Sequence, residues 1–366
     1  MTVRIALAGL GWAARSIWLP RLRAHPGFTL AAVVDPSGPA RRQFAAGRGG
    51  APGVPVLSDV DELDPADVDL VVVAVPNHLH CTVACGLLAR GFTVFVEKPV
   101  CLSSAEADRL AAAESAGRGL LLGGSAARYR ADVLAWHDLA GSLGRIRHVA
   151  VSWVRASGIP GDGWFTRRDL AGGGALVDLG WHLLDVVPPL LGTPPFDQVV
   201  GAVSADFLGD GGSRAAWRHD MADAPALPGD VEDTVRAFLL TGDGVSLSLR
   251  ASWASHEPCD VTTIEVEGST GTASLSCTFG FSPHRRPGSA LFLHRHGRRT
   301  AVPVREEAIG AEYDRQLDHL PAALADPASR GRTAAEARWT IGAVERVYAS
   351  AHAAAVQARP VLPAHR

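Results

Sequence analysis

The sequence predicts a doubly wound α/β domain at its amino-terminal end, followed by a region built on an antiparallel sheet. Three observations carry this. Short continuous apolar runs alternate with helical stretches up to about residue 124. The first run ends in Gly9-Leu10-Gly11-Trp12-Ala13-Ala14, a G-x-G-x-x-A turn. Beyond that point the segments lengthen, and apolar and polar residues alternate along them.

In order, Val3–Leu7 reads as a strand, the glycine turn follows, and Ile17–Ala24 reads as a helix. Phe28–Val34 is the second strand and stops at Asp35, 21 residues after Ala14. Leu70–Val75 ends in Pro76-Asn77, and Thr82–Ala89 is helical. Thr93–Val96 ends in Glu97-Lys98-Pro99, a helix covers Ala105–Ser115, and Leu120–Gly123 closes the sheet. The predicted domains are 1–124 and 125–366, with the C-terminal helix free to pack back on the first.

In the second domain, Arg147–Arg155, Gln198–Phe207, Thr234–Thr241, Val245–Trp253 and Thr262–Gly268 read as strands. Thr241-Gly242-Asp243-Gly244 is a hairpin turn in which Asp-Gly supplies positive φ. Val245, Leu247, Leu249, Ala251 and Trp253 alternate with Ser246, Ser248, Arg250 and Ser252, so one face is apolar and the other more polar. The polar face is either solvated or packed on a partner subunit. Gly209–Gly229 reads as loop, and two helices follow, Glu312–Ala325 and Ala334–Ala355.

Composition narrows the function classes. The chain has 366 residues, 47% hydrophobic and 20% charged, with a net charge of −3. That balance fits a soluble globular protein and gives no electrostatic footprint for nucleic acid. No apolar run approaches a membrane span, the longest block being the strand-sized Leu70–Pro76. The amino terminus lacks a basic start followed by a small-residue cleavage site, and five irregularly spaced cysteines argue for reduced thiols. The expectation is a cytoplasmic protein. Of 35 basic residues, 34 are Arg and one is Lys98. The Ala, Gly and Pro content fits a GC-rich coding bias that replaces Lys wherever Arg serves. A surviving Lys therefore marks a place where a bulky, permanently charged guanidinium fails.

Three groups of residues carry chemistry. In the glycine turn, Gly9 permits the bend, Gly11 lets backbone approach a pyrophosphate at the helix N-terminus, and Ala14 permits close packing. Asp35 stands at the offset for a ribose-binding carboxylate. It accepts two ribose hydroxyls and repels a 2′-phosphate, so NAD is favoured; Arg41 and Arg42 keep NADP in view. Lys98 and Asn77 stand at carboxyl ends of strands, where ligands bind in open α/β sheets. A buried Lys there donates to a substrate hydroxyl or carries a proton, whereas the structural alternative is a surface Lys98–Glu97 pair. In the third group, glycines 172–174 precede a helix on which Asp178 and His182 share one face and Asp185 follows. A carboxylate beside an imidazole orients it and raises its basicity. The plainer reading is an amphipathic helix with a satisfied histidine.

The glycine turn, Val75-Pro76-Asn77-His78-Leu79-His80, Glu97-Lys98-Pro99 and Asp178-Leu179-Gly180-Trp181-His182 together resemble the signature set of the Gfo/Idh/MocA family, the glucose–fructose oxidoreductase and inositol dehydrogenase-like proteins. Val231-Glu232-Asp233-Thr234 and Glu265–Gly271 resemble its sheet segments. The resemblance implies a Rossmann domain and an α+β domain with a large open, mostly antiparallel sheet that often forms the oligomer interface. A homodimer or homotetramer through that sheet is therefore expected. It implies hydride transfer between a sugar or cyclitol carbon and nicotinamide. Lys98 would polarise the hydroxyl, His182 would be the acid/base, and Asp178 its partner or a substrate ligand. Trp12, Ala13, Pro76, Asn77, His80 and Glu97 complete the implied cofactor set. In some sugar ketoreductases of the family Tyr replaces His182, so His182 leans the chain toward inositol dehydrogenase-like chemistry.

The substrate is less visible. Arg128, Trp164, Arg167 and Asp185 are the leading pocket candidates; Tyr129, Trp153, Arg168, Trp181 and His256 are further ones. Asp162, Asp169 and Asp185 offer carboxylates to a cationic amino group, which makes an aminosugar or aminocyclitol a candidate. No zinc-like spacing surrounds Cys81 and Cys85, so no metal is expected. Two alternatives stand beside the dehydrogenase: a redox-neutral NAD-dependent glycosidase, and a cofactor-sensing regulator without catalysis.

Overall fold

Strand β1 (Val3–Ala8) carries Ile5, Ala6 and Leu7, all fully buried, so it must be covered on both faces. The computed structural model describes residues 2–46, 53–161, 163–209, 211–215, 217 and 229–357. The strands beside β1 are β2 (Phe28–Val34), β3 (Val56–Leu57), β4 (Leu70–Val73), β5 (Val94–Val96) and β6 (Leu121–Gly123). They form a six-stranded parallel sheet of order β3-β2-β1-β4-β5-β6. Ile5 pairs with Leu70, and Val71 with Val94. All four residues of β4 are inaccessible, and burying each such side chain contributes about 1.5–3 kcal/mol.

Helices α1 (Leu19–Ala24), α2 (Gly38–Ala46), α3 (His80–Ala89) and α4 (Ser104–Ala116) connect these strands. The Ser103 hydroxyl caps α4 by accepting from the Glu106 amide at 3.2 Å. The helical stretch after the glycine turn starts earlier than Ile17, in a π-turn over Ala14–Trp18. Helix α2 is additional to the elements expected from the sequence.

The second sheet has eight strands. They are β7 (Ile146–Val154), β8 (Phe196–Ser204), β9 (Thr234–Thr241), β10 (Ser246–Ser252), β11 (Val261–Gly268), β12 (Gly271–Cys277), β13 (Ala290–Arg295) and β14 (Arg298–Val302). Their order is β14-β13-β12-β11-β7-β10-β9-β8. Within it, only β7 and β10 pair in parallel. The β9–β10 hairpin turns through Gly244 at φ +86°, as the Asp-Gly signal requires. Strands β12 to β14 are also additional: Gly-Thr-Ala-Ser-Leu-Ser-Cys is poor in bulky residues, and Arg-Arg-Thr-Ala-Val is largely exposed.

Helix α5 (Ala131–Ala140) donates Trp136 Nε1 to the Ala273 carbonyl of β12 at 3.2 Å. The short helices α6 (Arg168–Ala171), α7 (Trp181–Asp185) and α8 (Pro188–Leu191) follow in sequence. Residues 175–187 are buried on every side, which corrects the amphipathic reading of this segment. Arg168–Leu191 is also long and apolar enough by composition to cross a membrane, longer than the Leu70–Pro76 block; 78% of that window is buried inside the protein, as in a core helix.

The chain divides into two interleaved units. Met1–Arg130, Asp169–Gly172 and Glu307–Arg338 form the first; Ala131–Arg168, Gly173–Glu306 and Trp339–Arg366 form the second. Helix α9 (Ala311–Ala325) belongs to the first unit, where Asp314 pairs with Arg21 at 3.0 Å. Helix α10 (Arg332–Gln357) contributes to both.

Candidate active site

The glycine turn is built for close approach. Gly9 adopts φ +95°, and a Cβ there would stand 2.6 Å from the Ala74 carbonyl oxygen at the end of β4. Any larger residue would separate β1 from β4 at the point where the strand order reverses, which is where dinucleotides bind in this topology. Gly11 is exposed, with nothing within 4 Å of an added Cβ, so its backbone faces open space that a pyrophosphate can fill. Trp12 and Ala13 are half-buried in the helical turn that follows, and Ala14 is fully buried. Asp35 Oδ2 accepts from the Leu10 amide at 2.7 Å, and Oδ1 from the Ser37 amide at 2.8 Å. Each oxygen retains a lone pair for a ribose hydroxyl. Arg41 Nη1 donates to the Asp35 backbone carbonyl at 2.7 Å, which places a cation near the Asp35 carboxylate. The residues present fit a dinucleotide.

A second set stands where β4 and β5 end. Asn77 is buried and donates Nδ2 to the Ala171 carbonyl at 3.1 Å. His80 is 1% exposed, with its ring nitrogens 2.7 Å from the Pro99 carbonyl and 2.8 Å from the Val75 carbonyl. It therefore ties two strand ends together from within rather than presenting an open face. Burial pushes its pKa down, against the two carbonyls. A neutral ring donates from one nitrogen, so only one carbonyl is satisfied at a time. Glu97 is buried: Oε1 accepts from Trp18 Nε1 at 2.7 Å and Oε2 from the Lys98 amide at 2.9 Å. Burial pushes the Glu97 carboxyl up, while the Lys98 charge and these hydrogen bonds pull it down. Lys98 is half-buried, and Lys98–Pro99 is a cis peptide, with Pro76 capping the turn at Asn77–Leu79. A surface ion pair does not describe Glu97 and Lys98.

The third set lies in the second unit. Asp178 falls in a π-turn, Leu176–Gly180, and His182 in α7 directly after it. Single π-turns of this kind concentrate at functional positions. Both side chains are buried. Asp178 Oδ2 accepts from Trp253 Nε1 at 2.9 Å and lies 3.8 Å from Arg155 Nη1. Arg155 is sandwiched between Trp153 and Trp217, its guanidinium 5.0 Å from each ring centroid. The Trp153 ring lies 5.7 Å from the imidazole of His182. The Asp178 carboxylate thus has a hydrogen-bond donor and a fixed cation beside it.

The substrate candidates separate. Arg128 is held by Glu336 at 2.6 Å. Trp164 is half-buried and packs on Phe165, 4.6 Å between ring centroids. Arg167 and Asp169 are exposed, whereas Asp185 and Trp181 are buried in the site helix. His256 packs edge-on against Phe207, Tyr129 against His319, and Arg168 pairs with Glu232 at 3.4 Å. Asp162 and most of Gly209–Gly229 lie outside the described residues. Among the described residues no group of three His, Cys, Asp or Glu side chains is arranged to hold a metal.

Sequence reasoning missed the partners of the site residues. Trp18, Arg155, Trp253 and Glu232 carry no motif for this role. The usable signal was chemical: a carboxylate buried in an apolar segment requires donors.

Comparisons with known proteins agree with the fold. Residues 3–123 match the model of the GFO/IDH/MocA oxidoreductase family with an NAD-binding Rossmann fold, and residues 139–274 match the GFO/IDH/MocA C-terminal domain. A protein of Amycolatopsis mediterranei named as a putative UDP-kanosamine synthase oxidoreductase subunit is 55% identical over 367 residues, covering 100% of both chains. GenD2 from gentamicin A biosynthesis, solved in complex with NAD, is 26% identical with a TM-score of 0.71, covering 96% of this chain and 94% of that one. KijD10, a 3-ketoreductase from Actinomadura kijaniata solved with NADP and TDP-benzene, shares the fold at 21% identity, with a TM-score of 0.69 over 96% and 98% of the chains. With a parallel sheet whose glycine turn accepts a dinucleotide and a second, mostly antiparallel sheet, the chain belongs to the GFO/IDH/MocA family and is an NAD(P)-dependent oxidoreductase.

Proposed function

We propose that this protein oxidises or reduces one secondary hydroxyl/ketone carbon of a nucleotide-linked sugar or aminosugar, using NAD in preference to NADP. The observation that carries the chemistry is the Asp178 carboxylate, fixed by Trp253 and Arg155 on the buried helix that bears His182. The substrate class rests on the 55% identity, along the full chain, to a protein named for UDP-kanosamine synthesis. An amino group replaces a hydroxyl most directly through the ketone, so an aminating enzyme would consume the oxidised product.

In the oxidative direction, Lys98 binds the hydroxyl oxygen and weakens its hold on the proton. His182 takes that proton, and Asp178 stabilises the imidazolium that forms. Such a transfer contributes about 10²–10⁴-fold. The bound nicotinamide supplies the hydride acceptor. Gly9, Gly11 and Asp35 hold the dinucleotide, and Asp35 disfavours a 2′-phosphate.

We assign the open face of the eight-stranded sheet to a second copy of the chain. Val200 is 69% and Phe238 48% exposed as direct cross-strand neighbours on that face. Arg236 and Arg250 lie toward one edge and Glu265 and Glu267 toward the other, a distribution that supports self-pairing.

The test is absorbance of the reduced nicotinamide with purified protein, NAD or NADP, and a panel of UDP-hexoses, aminosugars, inositols and free sugars. Reduction of NAD with a UDP-hexose is expected. No reduction across the panel by protein that binds NAD would contradict the proposal.

A further inference from the structure

We infer that Glu232 is a positioning residue that sets the placement of Asp178 and His182, and that Tyr348 acts through it. The inference rests on the role proposed above for His182.

The helix that carries Asp178 and His182 begins inside the protein, where its first amide groups have no partner within the helix and no water to turn to. Glu232 supplies partners to three consecutive ones. Its Oε1 accepts from the Gly174 amide at 3.1 Å and the Leu176 amide at 3.0 Å, and Oε2 also accepts from Gly174 at 3.2 Å. Its backbone carbonyl accepts from Ala175 at 3.1 Å. Gly174 in turn accepts the Asp178 amide on its own carbonyl at 3.0 Å. Two hydrogen bonds therefore connect the Glu232 carboxylate to the backbone of Asp178.

The carboxylate is itself held. Tyr348 of α10 donates its hydroxyl to Oε1 at 2.7 Å, and Arg168 Nη2 lies 3.4 Å from Oε2 while stacking over the Tyr348 ring at 4.8 Å. Glu232 is 3% exposed, so a charge that would otherwise be costly sits among donors and at the positive end of a helix. The glycine run makes room for the arrangement. A Cβ at Gly173 would collide with the Tyr348 hydroxyl, and one at Gly174 with the Glu232 carbonyl. None of these groups is proposed to touch a reacting atom; they fix where the backbone of Asp178 stands at the start of the helix that bears His182.

The experiment compares Glu232→Gln, Glu232→Asp and Tyr348→Phe with the wild type in the full-length protein. Glu232→Gln presents an amide donor to amide donors. Its kcat is expected to fall about tenfold, the scale of one charge-assisted hydrogen bond, with the KM for dinucleotide unchanged. The pH profile of kcat moves with it, because Asp178, the proposed partner of His182, is displaced. Glu232→Asp recovers part of the loss. Tyr348→Phe, which removes one hydroxyl and keeps the ring, loses about two- to fourfold. A residue that only stabilises the fold would lower the melting temperature and leave kcat and its pH profile unchanged; that result overturns the inference. If Glu232→Gln does not fold, Tyr348→Phe decides on the same readouts. His182→Ala is assayed in parallel. Turnover retained there removes the parent reading, whereas turnover lost there with Glu232→Gln unaffected removes this inference alone.

Discussion

Each unit fixes one proposed catalytic side chain beside a buried carboxylate that accepts from a tryptophan indole: Glu97 from Trp18 at 2.7 Å next to Lys98, and Asp178 from Trp253 at 2.9 Å before His182. The surroundings differ. Glu97 has Lys98 as the neighbouring charge that offsets its burial. Asp178 has Arg155, a separate and permanent cation, at 3.8 Å. Lys98 offsets only part of the burial of the first carboxylate, whose pKa stays raised. In the proposed reaction the second, with Arg155 beside it, serves an imidazole that gains and loses charge. One arrangement suits a fixed polarising cation, and the other suits a group that must change protonation each cycle.

The largest effect tests the first side. Lys98→Ala is expected to lose about 10²–10⁴-fold in turnover while the dinucleotide dissociation constant moves less than about threefold. Isotopically resolved carboxyl titration by NMR of that variant should also show the Glu97 pKa higher than in the wild type, because its offsetting charge is gone. Wild-type turnover would remove Lys98 from the chemistry. The next effect tests the second side. Trp253→Phe keeps an aromatic side chain but deletes the indole donor to Asp178, so a kcat loss of about tenfold is expected in steady-state assays. Trp18→Phe deletes the matching donor to Glu97 and should cost less in kcat, because Lys98 still balances that charge. An equal or larger loss in Trp18→Phe would erase the distinction between the two sites.

The smallest effect concerns pH and stability. Burial lowers the His80 pKa below its ordinary 6.5. The unfolded chain therefore takes up the proton first, and stability contributed by His80 is complete above about pH 6.5 and declines as pH falls below it. Glu97 acts with the opposite sign, its raised pKa costing stability as pH rises above the ordinary carboxyl value of 4.5. Denaturant unfolding at two pH values, wild type against His80→Asn, isolates the histidine. The variant should lose less stability on acidification, and an identical loss would remove His80 from the balance.

The sequence made much of this legible, for stated reasons. The ends of β2 and β9 coincide with those expected because apolar runs there meet Asp35 and a Gly-Asp-Gly turn. Strands β12 and β14 carried little signal because Gly271–Cys277 is poor in bulky residues and Arg298–Val302 is largely exposed. Motif and the scarcity of lysine single out Lys98, Asp178 and His182 as candidates. Their supports are not singled out, because Trp18 lies 79 residues from Glu97, Trp253 lies 75 from Asp178, and Glu232 lies 58 from Gly174. Such pairings arise only once the sheets are assembled, and no local spacing encodes them.

The proposed reaction has Lys98 and His182 acting on one hydroxyl. A double-mutant cycle measures this directly: kcat/KM for the wild type, Lys98→Ala, His182→Ala and the double variant, on the substrate that reduces NAD. Residues acting as one unit give strongly non-additive losses. If Lys98 and His182 do so, the double variant falls within about threefold of the worse single variant. Losses that multiply in full would show two independent contributions and contradict that reaction.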